Sequence, residues 1–476
     1  MGDGLAKLGR EFFRLGRYLT FPAFAFGCCV CAEAEESPDK AEDLPILVVG
    51  GGVMGSSIAS SIAARGAKVM LVDESHVVRS SWGDTRGLQN GYSGVYSKLV
   101  RRAQVLWEEL QSLDKSLASA HGRGSLFWKA SNMLILPSRE AAEDAKRVHE
   151  ENGHNVDGIE ILEKDDVHEK FPAVAFEDGE TAFIDHECLA LSAGDCIFAL
   201  QDNAERNGAV LAFNERVEMI NVKDREVVVD SGRRVQYSKI VLATGPWTNR
   251  TLHSAGLRTL PIFVSAEQLL YLTPRPGSSL PLQAYSLSNI PIVDGEVVVN
   301  EDTGVKAFVY AVPMVPEGKR AFKCAVHMMG EFMHTSDFHV KPGSSPFEFA
   351  DNTVYHRKQL QCYQPEADQI DPYQRQIVEK FVSKHLPTLD TVDISMVCRC
   401  LYTSAADNHF IVGPHPDAPE TVVVVTGFHG EGFKFAPVIG ECVADLVLAP
   451  DEEELSSLTK ELVDVCSPGR FFSFHE

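Results

Sequence analysis

Apolar residues fall along this chain in two rhythms, and the rhythm changes near its middle. Ile46–Val49 is an unbroken apolar run, the pattern of a strand buried on both faces. A helix-compatible segment rich in Ala and Ser, Ser56–Arg65, opens at Gly55, and a second apolar run, Lys68–Asp73, ends in an acid. Leu99, Ala103, Leu106, Leu110 and Leu113 recur at helical spacing and predict an amphipathic helix whose stripe faces a core. Met133–Leu136 reads as a strand, Glu140–Glu151 as an exposed charged helix, and Leu189–Asn207 as a helix leading to Ala209–Phe213 and Glu215–Ile220. Glu226–Asp230 and Arg234–Tyr237 look like a hairpin around Ser231 and Gly232, and Lys239–Gly245 like a buried strand ending in a glycine turn. From about residue 260 to 390 the helix–strand alternation fades. Turns, prolines and short β-like runs replace it (Glu267–Leu272, Glu296–Asn300, Phe308–Val312, Phe322–Val326), which predicts a mostly antiparallel lobe. Helix–strand character returns with Thr421–Gly427 and a helix over Ala436–Leu448. The expected class is therefore α/β plus antiparallel β, without internal repeats.

Composition narrows the function. A chain of 476 residues has room for two or three lobes around real cores, and its 44% hydrophobic and 23% charged residues suit a soluble globular protein. A net charge of −23 with no basic stripe argues against a nucleic-acid partner. No stretch approaches the roughly twenty apolar residues of a membrane span. The eleven cysteines show no paired zinc spacing, and no metal is expected. Residues 1–44 read as an extension outside the fold. Lys7, Arg10, Arg14 and Arg17 make a basic front, Leu19–Val30 is mostly apolar, and Cys31–Ala34 offers a small-residue cleavage site. That order fits a secretory or bipartite organelle signal. The acid-poor start also suits a mitochondrial presequence, and palmitoylation of Cys28, Cys29 and Cys31 is a third reading. A targeting segment is expected, with mitochondrial, plastid and secretory routes all open and a tail with no address as the rival. Glu35–Asp43 reads as a linker.

The chemistry is concentrated where the first strand ends. Gly50, Gly52 and Gly55 fit G-x-G-x-x-G, with Val53 and Met54 inside it. One glycine makes the tight turn, one admits a pyrophosphate to the backbone, and one lets the helix pack on the sheet. The amides and positive dipole end of that helix face the phosphates. Asp73, followed by Glu74, comes about eighteen residues after Gly55, where an acid takes ribose hydroxyls. Strand, loop, helix and acid together predict dinucleotide binding; an ordinary strand–helix turn is the bland alternative.

Further motifs follow in order: Gly83-Asp-Thr-Arg86, Ala243-Thr-Gly-Pro-Trp-Thr-Asn249, Cys400-Leu-Tyr-Thr403 with Asp407 and His409–Ile411, and Gly427-Phe-His-Gly-Glu-Gly-Phe-Lys-Phe435. With the glycine loop, these make residues 45 to about 450 resemble the flavin-dependent amine oxidases of the D-amino-acid-oxidase superfamily. The similarity is greatest to the branch of sarcosine, N-methyltryptophan and pipecolate oxidases. The resemblance implies FAD in a discontinuous Rossmann-type, GR2-like domain (45–130, 185–260 and 391–450). It implies an antiparallel substrate domain (131–184 and 261–390) and leaves 451–476 as a C-terminal tail. The implied reaction oxidises a secondary amine or amino acid to an imine, with molecular oxygen reoxidising the flavin to give hydrogen peroxide, in a monomer. Implied cofactor contacts are Gly50, Gly52, Val53, Met54, Gly55, Asp73, Glu74, Asp84, Thr85, Arg86, Val217, Thr244, Gly245, Trp247, Gly427, Gly430, Gly432, Phe433 and Lys434. Cys400 falls where this branch attaches flavin by a thioether; a buried structural thiol is the alternative, and Cys398 is a neighbour to be told apart from it. Lys323 falls where the family places a cation beside the flavin ring to stabilise charge on oxygen. It already stands out as a lysine in an apolar strand. Arg86, Tyr310, Tyr402 and Lys434 match family residues near the flavin and the substrate.

Two positions depart from that pattern. The resemblance expects a second arginine three residues after Arg86, and the chain has Gln89. It expects a histidine three before Lys434, and the chain has Glu431. A bidentate cation has become a neutral amide and an acid has joined the pocket rim, which favours a larger or more cationic amine over sarcosine. The rivals are a dehydrogenase of the same superfamily with another electron acceptor and a flavin-binding module that turns nothing over. The chain ends Phe-His-Glu, which is not a peroxisomal tripeptide.

Overall fold

The computed structural model describes residues 44–472 apart from 75–79, 82–84, 122–124, 279–284, 290–291, 294–295, 298–306, 314–320, 329 and 334–369. The expected targeting segment and linker, Asp84, the chain's last tripeptide and most of the run after Glu296 lie outside the described residues, as does the side chain of Cys398.

The strands named from unbroken apolar runs share one six-stranded sheet. Its order is Ile411–Pro414, Val422–Thr426, Ile240–Leu242, Ile46–Val49, Val69–Asp73, Val210–Phe213, parallel except for Ile411–Pro414 at one edge. Alternate residues enter two cores. Ile46, Val48, Leu71, Val241, Val423 and Val425 pack under the helices on one face. Leu47, Val49, Met70, Val72, Ile240 and Val424 pack on the other, with Val227, Val229, Tyr237 and Leu252. Burial on both faces is why the four inner strands show no polar alternation, whereas the edge strand Val210–Phe213 has Val210 exposed. The first helix runs Val53–Ala64, opening three residues before the expected Ser56 because the glycine loop itself winds into it. Its serines are packing residues: Ser56, Ser57 and Ser60 are buried, and helix Ala436–Leu448 crosses Ser57 at Gly440.

The second sheet has ten strands. Its main path runs Glu331–Met333, Ile262–Pro274, Phe322–His327, Phe308–Pro313, Tyr285–Asn289, Phe127–Leu136, Thr181–Ser192, Thr85–Leu88, with Leu389–Ala405 paired to Ile262–Pro274 and Ile159–Glu163 to Thr181–Ser192. It is antiparallel as expected, except that Tyr285–Asn289 runs parallel to Phe127–Leu136. Leu270, Leu272, Cys324, Val326, Val309 and Ala311 face a core covered by Ile377, Val378 and Phe381 of helix Pro372–His385. That helix lies inside the stretch where the helix–strand alternation fades and a mostly antiparallel lobe is expected.

Two further expectations are corrected. Leu189–Ser192 is the end of strand Thr181–Ser192, not the start of a helix, because Thr85–Leu88 and Phe127–Ala130 pair with it from both sides; the helix runs Ala193–Arg206. Leu113 is 55% exposed, so the stripe on helix Gly94–His121 faces the core only through Leu99, Ala103 and Leu110, with Leu106 partly buried. The charged helix spans Arg139–Glu151 and buries Ala142 and His149. Residues 457–466 form a helix packed against Gly94–His121 and Ala436–Leu448. Among the described residues no helix is long and apolar enough to cross a membrane.

Candidate functional site

A cavity of about 850 Å³ runs from the ends of the parallel strands to one face of the ten-stranded sheet. At its first end the glycine loop is tight. Gly50 has φ +105, a Cβ there would fall 2.4 Å from Ala243 O, and one at Gly55 would fall 1.7 Å from Gly50 O. No side chain fits at either point. Gly52 caps the helix without a side-chain hydrogen bond, and the Asp73 carboxylate accepts from Gly51 N–H at 2.6 Å. Asp73, Glu74, Val217, Thr244, Gly245 and Trp247 line this end. A loop too close for side chains, a helix N-terminus whose first amide, Val53 N–H, meets the Ser81 hydroxyl at 3.1 Å, and an acid at the end of the next strand suit a dinucleotide.

The register places the other wall. Tyr310 lies opposite Ser288 on one side and Ala325 on the other, so Lys323, Ala325 and His327 share the face of Tyr310. Cys400 and Tyr402, two residues apart in Leu389–Ala405, look into the same cavity. Lys323 is 5% exposed, and its Nζ donates to Thr85 O at 2.6 Å, which ties the sheet face to the edge strand folded over it. Arg86 also donates to Thr85 O, at 3.1 Å, and its guanidinium lies 5.7 Å from the Phe433 ring. The part-buried Cys400 thiol donates to Ser80 O at 3.4 Å; burial pushes its pKa up while the Arg86 and Lys323 charges pull it down. Burial likewise raises both Tyr310 and Tyr402, keeping the phenols neutral.

The third wall is the turn before the last long helix. Trp107, fully buried, donates from Nε1 to Lys434 O at 3.0 Å and stacks on Phe433 with ring centres 6.0 Å apart. Gly430 has φ +77 and faces the Tyr402 ring; a Cβ at Gly432 would lie 2.5 Å from that of Phe428. Lys434 is 5% exposed, and its Nζ donates to the Tyr92 hydroxyl at 2.6 Å, which donates in turn to Glu431 Oε2 at 3.2 Å. Burial lowers the Lys434 pKa, against the pull of Glu431. For Glu431 burial acts upward, but Lys434, His327 and the Tyr92 hydroxyl outweigh it and the carboxyl stays below its ordinary range.

The cavity therefore gathers every described candidate residue except Gly55 and Thr85, which sit immediately behind its wall. His327, Glu267 and Tyr92 are among the residues in or beside the cavity that carried no expectation. His327 lines the cavity four residues after Lys323, and strand periodicity alone puts it on the same face. Glu267, 1% exposed, pairs across the ladder with Cys400 and accepts from Ser265 Oγ at 2.6 Å and Gly330 N–H at 3.0 Å. An acid inside an apolar strand is the same signal that singled out Lys323. Tyr92 follows the edge strand in a loop with no periodicity to mark it.

A family model described as FAD dependent oxidoreductase matches residues 45–446. Monomeric sarcosine oxidase from Bacillus sp. (strain B-0618) is 25% identical over 415 residues, covering 86% of this chain and 93% of that one. N-methyl-L-tryptophan oxidase from Salmonella arizonae is 24% identical, covering 85% and 94%. Among solved structures, NikD, an amino acid oxidase of nikkomycin biosynthesis in its open form, superposes with a TM-score of 0.63 at 20% identity, over 88% of this chain and 96% of its own.

Proposed function

The chain belongs to the FAD-dependent oxidoreductase family, and we propose that within it the protein oxidises the C–N bond of a secondary amine or N-alkyl or cyclic amino acid, with oxygen as acceptor. The reaction balances with one amine, one molecular oxygen and one water on the left. On the right stand one hydrogen peroxide and, for an N-alkyl substrate, one carbonyl compound and one shortened amine; a cyclic substrate gives a single ring-opened product that carries both groups. The carbon beside nitrogen loses two electrons with its hydrogen, oxygen gains them, and water hydrolyses the imine. FAD supplies the acceptor for the hydride equivalent when bound. The glycine loop, Asp73 and the helix N-terminus would hold its dinucleotide part, and Cys400 would tether it through sulfur. The likeness to sarcosine and N-methyltryptophan oxidases supports an N-alkyl substrate.

The observation that carries the oxidase reading is Lys323, a cation buried on the cavity face and held at 2.6 Å by Thr85 O. A fixed positive charge in a dry site favours negative charge developing on oxygen, with no reorganisation needed when it forms. Tyr310 and Tyr402, both neutral, supply hydroxyls and apolar edges to position substrate. The amine must lose its ammonium proton before its C–H can leave with an electron pair, and a pocket that already holds cations favours that free base.

The test is an anaerobic amine panel on purified protein, read by bleaching of the flavin band, with oxygen uptake and peroxide measured afterwards. Bleaching by secondary amines together with peroxide is expected. If no amine bleaches a retained flavin, the amine-oxidase reading falls; if bleaching occurs and only dyes reoxidise the flavin, the acceptor is not oxygen. Lys323→Met should slow reoxidation by roughly 10²-fold, the scale of losing one preorganised donor. Acid precipitation should leave a yellow pellet from the wild type and a colourless one from Cys400→Ser.

A further inference from the structure

The wall that carries Glu431 is built to keep a carboxylate and an ammonium apart. Lys434 Nζ donates to the Tyr92 hydroxyl at 2.6 Å, and that hydroxyl spends its single proton on Glu431 Oε2 at 3.2 Å. One phenol stands between the two charges. Lys434 is further committed to aromatic faces, lying 5.1 Å from the Tyr92 ring centre and 5.6 Å from that of Phe435. Glu431 lines the cavity, and its Oε1 accepts no hydrogen bond among the described residues.

Resting on the amine-oxidation reading above, we propose that Glu431 is the subsite for a positively charged substrate group other than the nitrogen being oxidised. The favoured substrate is then an N-alkyl amine with a second cationic nitrogen, a diamine. A carboxylate beside an ammonium holds it protonated, and a protonated nitrogen cannot assist loss of hydride from its neighbouring carbon. A fixed acid in the pocket would therefore oppose the reaction if it paired with the reacting nitrogen. Paired with a distant ammonium it opposes nothing, because Oε1, which accepts no hydrogen bond among the described residues, is left to take a charge-assisted one from the ligand. An α-carboxylate is poorly served on the same wall. It would compete with Tyr92 for Lys434 and lie against Glu431, and Gln89 offers it a neutral amide.

The inference is tested on the flavin-loaded protein with two ligands of equal length, N-methyl-1,4-diaminobutane and N-methylpentylamine, which differ in a terminal ammonium against a methyl. Dissociation constants come from perturbation of the flavin spectrum and, separately, rates from anaerobic bleaching. Wild type should bind the diamine about tenfold or more tightly than the monoamine, the scale of one charge-assisted hydrogen bond. Glu431→Gln should bring that ratio close to one by weakening only the diamine. Should that variant fail to fold, Tyr92→Phe keeps the ring, releases Lys434 towards Glu431 and should likewise reduce the diamine preference. Equal binding by wild type, or a preference that survives Glu431→Gln, overturns the subsite. Glu431-dependent binding of the diamine without any bleaching leaves the subsite standing and removes the amine-oxidation reading instead.

Discussion

Gly430 shows how much one residue is asked to do at this site. Its φ of +77 lies in the left-handed region, and a Cβ there would sit 2.2 Å from the Tyr402 ring carbon Cζ. Gly66 has nearly the same φ, +78, with nothing within 4 Å of its would-be Cβ. The pair separates backbone strain from steric exclusion. Gly66→Ala should cost only the left-handed penalty, about 1 kcal/mol. Gly430→Ala should cost that and an overpacking term of about 1–3 kcal/mol, because an aromatic ring anchored in a strand has little room to move. Urea unfolding of the two variants measures the difference; equal losses would mean that the Tyr402 ring is not fixed against this turn. The contrast also marks what the sequence displays at this scale. Glycines at 50, 52 and 55 announce themselves through spacing, and Lys323 through its apolar neighbours. Glu267 had the same mark as Lys323. Tyr92 had none, since its importance comes from Lys434 and Glu431, more than three hundred residues away in the chain.

Among the elements, legibility followed burial. Ile46–Val49 and Ala436–Leu448 have the bounds their patterns predict, because a strand covered on both faces is apolar throughout and a helix pressed against Ser57 is apolar except at Glu441 and Asp445, which pair with Arg102 and Arg65. The hairpin of Glu226–Val229 and Arg234–Gln236 was announced by its glycine turn. Leu189–Ser192 was misread because four apolar or small residues before a true helix look like its first turn, and only the partners on either side make them a strand. The short turn Gly432–Phe435 depends on tertiary contact in the same way, since Trp107 supplies its anchor from helix Gly94–His121. Trp107→Phe keeps an aromatic ring against Phe433 but strips the Lys434 carbonyl of its buried donor. The expected cost is about 1–3 kcal/mol in unfolding free energy, with a shifted flavin spectrum because Lys434 is released from its place. A loss of stability with an unchanged spectrum would show that the turn holds its geometry without Trp107.

At the scale of the whole molecule, two effects of acid oppose each other. The chain carries −23 at neutral pH with a pI near 5.1, so acidification relieves self-repulsion. Against this stand buried imidazoles. His327, His385 and His429 are held below the ordinary histidine value of 6.5 chiefly by burial. His429 is pushed down to about 4, in a left-handed conformation at φ 51 with neither ring nitrogen meeting a partner at hydrogen-bond geometry among the described residues. Each of these groups is neutral in the fold and takes up its proton first in the unfolded chain. Their stabilising share is complete above about pH 6.5 and is lost as pH falls towards the folded values. Carboxylates held low, such as Glu431 and Asp445, add to the loss only below their ordinary values of 4.5 and 3.8. Salt decides which effect wins, because diffuse repulsion is screened beyond roughly 8 Å at physiological ionic strength and the cost of burying an imidazolium is not. Tm should therefore fall between pH 6.5 and pH 5 in about 0.15 M salt, even though the net charge approaches zero. His429→Asn, which accepts the same backbone conformation without titrating, should flatten that fall. A Tm that rises towards the pI in both proteins would place the controlling charge on the surface and leave the buried histidines without influence on acid stability.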